Sequence, residues 1–363
     1  MGGTRESRRR FVTSAVSAGA ALGLARGRAA AEGTPPSTSR RLELPGFVDL
    51  QVNGFAGVDF SDPKARPEQL AAAAAAIVAT GVTRVLPTLI TSPFETFAAC
   101  ARALARAELP AVAALHMEGP YISPEDGPRG AHPREHVRPA SIDDFRRRQE
   151  AASGCIRLVT LAPEVEGALA LVEHLVGSGV RVAIGHTAAS GAQIRDAVSA
   201  GATLSTHLGN GCAGVLPRHP NVIWEQLGED RLAASLIVDG HHLPPATVRS
   251  MVRAKTPART ILVTDAMAAA GMPPGAYTLG GQRVELDASG RVAAPGASNL
   301  AGSALTMPAA IGNTVRFTGL PLEDVLAMAT ARPAEYAGIS PAGRVVADWD
   351  EAAATLRVVS VRA

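Results

Sequence analysis

Short, nearly continuous apolar runs recur along this chain, and several of them stop at a residue able to bind a metal or carry a proton. Residues 111–117 lead to Glu118, 180–185 to His186, 202–206 to His207, 233–238 to Asp239 and 260–264 to Asp265. Runs of this kind read as strands buried on both faces of a parallel sheet. Further runs at 46–52 (with Gln51 and Asn53 at its end), 82–89 and 155–164 bring the count to eight. Helical patterns fall between them at 68–80, stopped by Gly81, and at 94–107 and 167–177. Strand–helix alternation predicts parallel pairing, and eight strands with polar carboxyl ends predict closure into an α/β fold of the (β/α)8, TIM-like barrel type.

The rest of the chain divides around that barrel. Residues 45–340 are expected to form it, with hairpins inserted at 276–300, where Gly280, Gly281, Ser289 and Gly290 mark turns. Residues 307–317 and 322–337 read as closing helices, and 341–363 as a short β remnant. Residues 32–44 read as a linker with a short leading strand. The amino terminus has the layout of an export signal: paired arginines before Phe11 and Val12, a weakly apolar stretch at 13–24, then Ala29 to Ala31. Residues 1–31 are therefore expected to be a twin-arginine signal peptide. The mature protein is then periplasmic or secreted, or cytoplasmic if that signal does not function. The apolar part is too short for a stable membrane span, which needs about 20 residues.

Composition narrows the partners. The formal charge of +2 hides an asymmetry, because the first 31 residues hold six Arg and one Glu, leaving the remainder at −3. With aromatics at 4% and no basic stripe, nucleic acid is not an expected partner. Cys100, Cys155 and Cys212 form no CxxC pair, so neither a disulfide framework nor a cysteine metal site is expected.

The candidate chemistry lies at the strand ends. Glu118, His186 and His207 supply one carboxylate and two imidazoles, a donor set suited to a divalent ion such as Zn²⁺. Three protein ligands are the pattern of a catalytic site, where the ion makes water more acidic and polarises a carbonyl. Asp265, last on the eighth strand, is placed to accept a proton and return it to a leaving amine.

Eight segments in chain order also resemble one family. They are PGFVDLQVNG (45–54), HMEGP (116–120), LAPE (161–164), GHT (185–187), THLGN (206–210), DGHH (239–242), VTDA (263–266) and GSALTM (302–307). Together they resemble the N-acetylglucosamine-6-phosphate deacetylases of the amidohydrolase superfamily, over nearly the whole chain from Pro45 to about Gly338. The resemblance implies that Glu118, His186 and His207 are the metal ligands and Asp265 the catalytic acid/base. It implies that His132 assists at the substrate carbonyl and that His242 contacts substrate. Asn210 and Gly211 match the loop around the sugar's 6-substituent, and Arg218 matches an arginine given to a neighbouring subunit's substrate. A homodimer is accordingly expected. Gln51 and Asn53 replace the His-x-His found in most amidohydrolases. One tightly held ion is therefore expected, Zn²⁺ first, with Fe²⁺ or another first-row metal fitting the same donors.

Three departures bear on the substrate. The flanking β-sandwich of the family is expected to be reduced or missing, and 209–214 (GNGCAG) lacks bulky residues in the substrate loop. A sugar 6-phosphate is moreover a cytosolic metabolite. The expected reaction is hydrolysis of the acetamide of an N-acetylated amino sugar, either N-acetylglucosamine 6-phosphate or an unphosphorylated relative met after export. The alternatives are another amidohydrolase acting on N-acyl amino acids or cyclic amides, and a non-catalytic periplasmic binding protein on the same barrel.

Overall fold

The computed structural model describes residues 39–279, 282–296 and 300–362; the expected signal at 1–31 lies outside the described residues. Its centre is an eight-stranded parallel sheet hydrogen-bonded in chain order: Phe47–Val52, Val82–Ile90, Leu115–Glu118, Ile156–Leu161, Arg181–Ile184, Leu204–Ser205, Ala233–Leu236 and Thr260–Leu262. The first and eighth strands meet at their carboxyl ends. Asp265 N–H donates to the Gln51 carbonyl at 2.9 Å, and Asn53 N–H donates to the Ala266 carbonyl at 2.7 Å. This seam, with the bridge between Val52 and Ala266, closes the barrel. Every residue of Phe47–Val52 is buried, because one face meets the barrel interior and the other the surrounding helices.

The helices dock through apolar stripes. In Phe94–Arg106 the buried Phe97, Cys100, Ala101 and Leu104 recur at helical spacing and form one face. Helices Ile142–Ala151, Gly191–Ser199, Val222–Gly228 and Pro245–Lys255, which the sequence pattern left unassigned, complete the outer layer. Their entries carry ordinary signals: Ser141 caps Asp144 N–H, Ser190 and Gln193 form a reciprocal capping box, and Asn221 accepts from Ile223 and Trp224. The helix expected at 322–337 is two, Leu322–Ala329 and Ala331–Ala337, broken where Thr330 leaves helical geometry at φ −132° and ψ −85°. The seventh strand ends at Leu236 rather than running to Asp239.

Two three-stranded sheets flank the barrel, in addition to a two-stranded hairpin of Gly54–Phe55 and Val58–Asp59. Ser39–Pro45 pairs antiparallel with Arg344–Asp350, which pairs with Thr355–Arg362. Val345, Ala347 and Trp349 alternate inward and are fully buried, so this three-stranded layer of the described residues packs as one with the core. The insertion is a meander of Gly275–Leu279, Gln282–Leu286 and Val292–Ala293. Its Val284, Leu286 and Val292 bury against Met267 and Ala269, just beyond the eighth strand. That contact sets the meander over the carboxyl end of the barrel. Among the described residues no helix is long and apolar enough to cross a membrane.

Candidate active site and metal centre

At that end, three candidate site residues depart from ordinary backbone geometry. His186 (φ 51°), His207 (φ 29°) and Asp265 (φ 49°) follow strands five, six and eight with positive φ, a region that side chains with a Cβ rarely adopt. Each costs about 1–3 kcal/mol, and such strain persists where the surrounding packing over-determines it. Here it swings all three side chains over the barrel mouth instead of leaving them on the pleat.

Glu118 is the hub. Its Oε1 lies 3.0 Å from His207 Nε2 and 3.3 Å from His186 Nε2, and the two Nε2 atoms are 3.1 Å apart. All three residues are buried, and their ligand atoms lie within 4.8 Å of one another. The protonation pattern tests whether a cation fits. His186 Nδ1 sits 2.9 Å from the Pro128 carbonyl, which accepts only from an N–H. A neutral His186 therefore carries its proton on Nδ1 and presents the bare Nε2 lone pair to a carboxylate oxygen and to a second imidazole. That convergence of electron pairs suits a cation, and fixing the outer nitrogen by a carbonyl is how ligating imidazoles are held. The donor set fits one divalent ion.

His132 approaches from the other side, with Nε2 3.7 Å from Glu118 Oε2. Its Nδ1 accepts from the Thr91 backbone N–H at 3.4 Å and from the Thr91 hydroxyl at 2.8 Å, which leaves the proton on Nε2. Burial, with His186 alongside, lowers its pKa to about 4, so His132 is a neutral N–H donor. Burial alone would raise the Glu118 pKa, but the surrounding His132, His186 and His207 pull it well below the carboxylate range. For His207, burial opposes the charged form and the Glu118 carboxylate outweighs it, raising the pKa. Asp265 is shifted the opposite way to Glu118. Burial raises it to about 6, moderated by His207, while Asn53 Nδ2 donates to its Oδ1 at 2.6 Å. Two carboxylates of one cavity thus have pKa values pushed apart, as an acid/base beside a permanently ionised ligand requires.

Glu118, His132, His186, His207 and Asp265 all line one cavity of about 410 Å³. Asn210, Gly211 and His242 line it too, and Ala301 and Val284 close it from the insertion side. His242 Nδ1 pairs with Asp239 Oδ2 at 2.6 Å, while Asp239 Oδ1 accepts the backbone N–H groups of His241 and His242. Asp239 thus buttresses His242 and does not itself line the cavity. Gly211 has no substitute: at φ 57°, a Cβ there would sit 2.9 Å from His186 Nδ1. Arg218 is the one predicted site residue that the fold leaves outside; it is exposed on the loop after Gly211.

Sequence reasoning missed the supporting residues. Thr91, which sets the His132 tautomer, belongs to no motif and follows the second strand. His116 had been only a letter of HMEGP. It is buried beneath the site, its Nε2 2.8 Å from Thr160 Oγ1 and its Nδ1 3.2 Å from Thr88 Oγ1, and burial lowers its pKa to about 4. Its period-two position, two residues before Glu118, was the available signal for an inward-facing partner.

Comparison with known proteins identifies the family. The amidohydrolase family model covers residues 43–350. N-acetylgalactosamine-6-phosphate deacetylase of Escherichia coli O157:H7 is 37% identical over 319 residues, spanning 86% of this chain and 83% of its own. N-acetylglucosamine-6-phosphate deacetylase of Bos taurus is 36% identical, spanning 81% and 74%. Among solved structures, N-acetyl-D-glucosamine-6-phosphate deacetylase of Mycobacterium smegmatis superposes with a TM-score of 0.80 at 33% identity, over 91% of this chain and 89% of that one. The Thermotoga maritima N-acetylglucosamine-6-phosphate deacetylase gives 0.77 at 26%, over 89% and 87%. With the family model and these relatives spanning most of its length, the chain belongs to the amidohydrolase family and, within it, to the N-acetylglucosamine-6-phosphate deacetylases.

Proposed function

We propose that this protein hydrolyses the acetamide of an N-acetylated amino sugar, releasing acetate and the free amino sugar. The observation that carries the reading is the convergence of Glu118, His186 and His207 on one point, with Asp265 and the His132 Nε2–H lining the same cavity. Held by those three side chains, a divalent first-row cation, Zn²⁺ before others, would supply Lewis acidity toward the acetamide carbonyl and toward water.

The chain's own residues do the rest. His132 donates its Nε2–H to the carbonyl oxygen, where negative charge grows. Asp265 accepts a proton from the attacking water as the C–O bond forms. It then returns that proton to the nitrogen as the C–N bond breaks, so acetate and amine depart with the proton balance closed. His242, held by Asp239, and the Asn210–Gly211 wall orient the sugar ring.

The relatives' names point to a sugar 6-phosphate. The cavity wall, however, carries no lysine or arginine among the described residues. A phosphate would therefore rely on the Asn210 and Gly211 segment and on Arg218 brought by a second copy, whereas an unphosphorylated sugar needs neither. The expected homodimer is read from that same position of Arg218. Residues 1–31, read as a twin-arginine signal, support a reaction outside the cytoplasm and with it an unphosphorylated substrate; fractionation of cells carrying Arg8→Lys with Arg9→Lys tests it.

The deciding assay is acetate release from a panel of N-acetylglucosamine, N-acetylgalactosamine, their 6-phosphates and N-acetyl amino acids. Turnover confined to the sugars supports the proposal. Turnover confined to N-acetyl amino acids, or uptake of a sugar without acetate, overturns it.

A further inference from the structure

Strand alternation places residues 49, 51 and 53 on one side of the first barrel strand and its extension, facing the interior. Asp49 and Gln51 are each 1% exposed, and Asn53 is half-buried. Each polar side chain reaches a different part of the site layer. Asp49 Oδ2 accepts from the Thr264 hydroxyl at 2.6 Å, immediately before Asp265. Gln51 Nε2 donates to Glu118 Oε1 at 2.8 Å. Asn53 Nδ2 donates to Asp265 Oδ1 at 2.6 Å. The backbone of the same strand fixes the main chain around Asp265 through the Gln51 carbonyl and the Asn53 N–H.

The two amides thus grip two carboxylates of different duty. Glu118 belongs to the trio that would hold the cation, and Asp265 to proton transfer. A carboxylate turning about its last bond loses ligand geometry or proton-transfer geometry, and an amide N–H of fixed position removes that freedom. Neither Gln51 nor Asn53 offers a donor as strong as imidazole, so the arrangement serves to hold their partners.

We propose that Gln51 and Asn53 are positioning residues with separable tasks: Gln51 orients Glu118 for the cation, and Asn53 orients Asp265 for proton transfer. The Asn53 half rests on the deacetylase reading above; the Gln51 half does not, because cation affinity is measured without substrate.

The test uses full-length protein carrying Gln51→Met or Asn53→Leu, near-isosteric changes that remove the donor. Zn²⁺ affinity is read by competition with a chromogenic chelator, and kcat and KM by acetate release at saturating Zn²⁺. Gln51→Met is expected to weaken Zn²⁺ binding by about 10- to 100-fold, the usual effect of losing a partner behind a metal ligand. Asn53→Leu is expected to keep wild-type Zn²⁺ affinity and KM while kcat falls by up to ~100-fold, the effect of a misplaced reacting group. Melting curves establish that each variant folds, and Gln51→Asn or Asn53→Ser replaces one that does not, with the same split expected. Affinity and kcat moving together in both variants, or neither moving in either, overturns the proposal. A wild-type protein that binds Zn²⁺ but releases no acetate from any sugar defeats the deacetylase reading instead, and the Gln51 half is still decided by the affinity measurement.

Discussion

At the amino-terminal end of the barrel, Gly81, Gly154, Gly179 and Gly201 turn the chain into strands two, four, five and six with positive φ; at the carboxyl end glycines such as Gly119, Gly209 and Gly211 share that sign of φ with Ala56 and with three candidate site residues, His186, His207 and Asp265. Glycine meets this geometry without a Cβ penalty. Where the chain only has to turn, it mostly uses glycine, and the non-glycine exceptions there, Glu108, Ser153 and Thr256, are polar and at least partly solvated. Where a side chain must point over the barrel mouth, the penalty is accepted in the buried His186 and His207 and in the partly buried Asp265. The difference separates a fold requirement from a site requirement. Both ends turn on glycine, and the carboxyl end adds side chains that need aim.

Substitutions can break or sharpen that contrast. The largest effect is expected from Asp265→Asn, which keeps size and backbone but cannot take a proton: kcat should fall by about 10²- to 10⁴-fold with the metal content unchanged, measured by acetate release and elemental analysis. Next is Gly211→Ala. Its Cβ would press on His186 Nδ1 and disturb the bond to the Pro128 carbonyl. Cation affinity should drop by about 10- to 100-fold, as when a partner behind a ligand is lost.

A smaller and reversible effect is expected from pH. Asp265 works as a base only when ionised, and burial raises its pKa to about 6. Activity should therefore hold above pH 6 and fall roughly tenfold per unit below it, the behaviour of a single protonation. An acid limb that survives unchanged in Asp265→Asn would assign it to another group. The smallest change is Gly179→Ala. There φ is 76° and a new Cβ meets nothing within 4 Å, so only backbone strain is added. Thermal or denaturant unfolding should show a loss of about 1–2 kcal/mol, with kcat and KM unaltered.

The barrel was legible because short apolar runs of strand length recur eight times, with helical patterns between several of them, as doubly buried parallel strands do. The same runs exposed the site, since Glu118, His186, His207 and Asp265 each close an apolar run and lie within three residues of the end of its strand. What stayed hidden depends on closure. No spacing along the chain says that Asn53 meets Asp265 or that Thr91 meets His132, contacts set by which strands become neighbours and in what register. Asp239 shows the reverse: it ends an apolar run like the others, yet its carboxylate turns to His242 and does not line the cavity. Thr330 likewise breaks a continuous helical pattern through backbone angles that periodicity does not encode.

The most direct measurement is a titration of chelator-stripped protein with Zn²⁺, following bound metal and acetate release from an N-acetylated amino sugar in parallel, for wild type and for His207→Ala. The account predicts that wild-type activity starts at background and rises in step with binding to a plateau at one ion per chain, while His207→Ala neither binds tightly nor recovers. Full activity in the stripped protein, or a His207→Ala variant that binds and turns over as the wild type does, would contradict it.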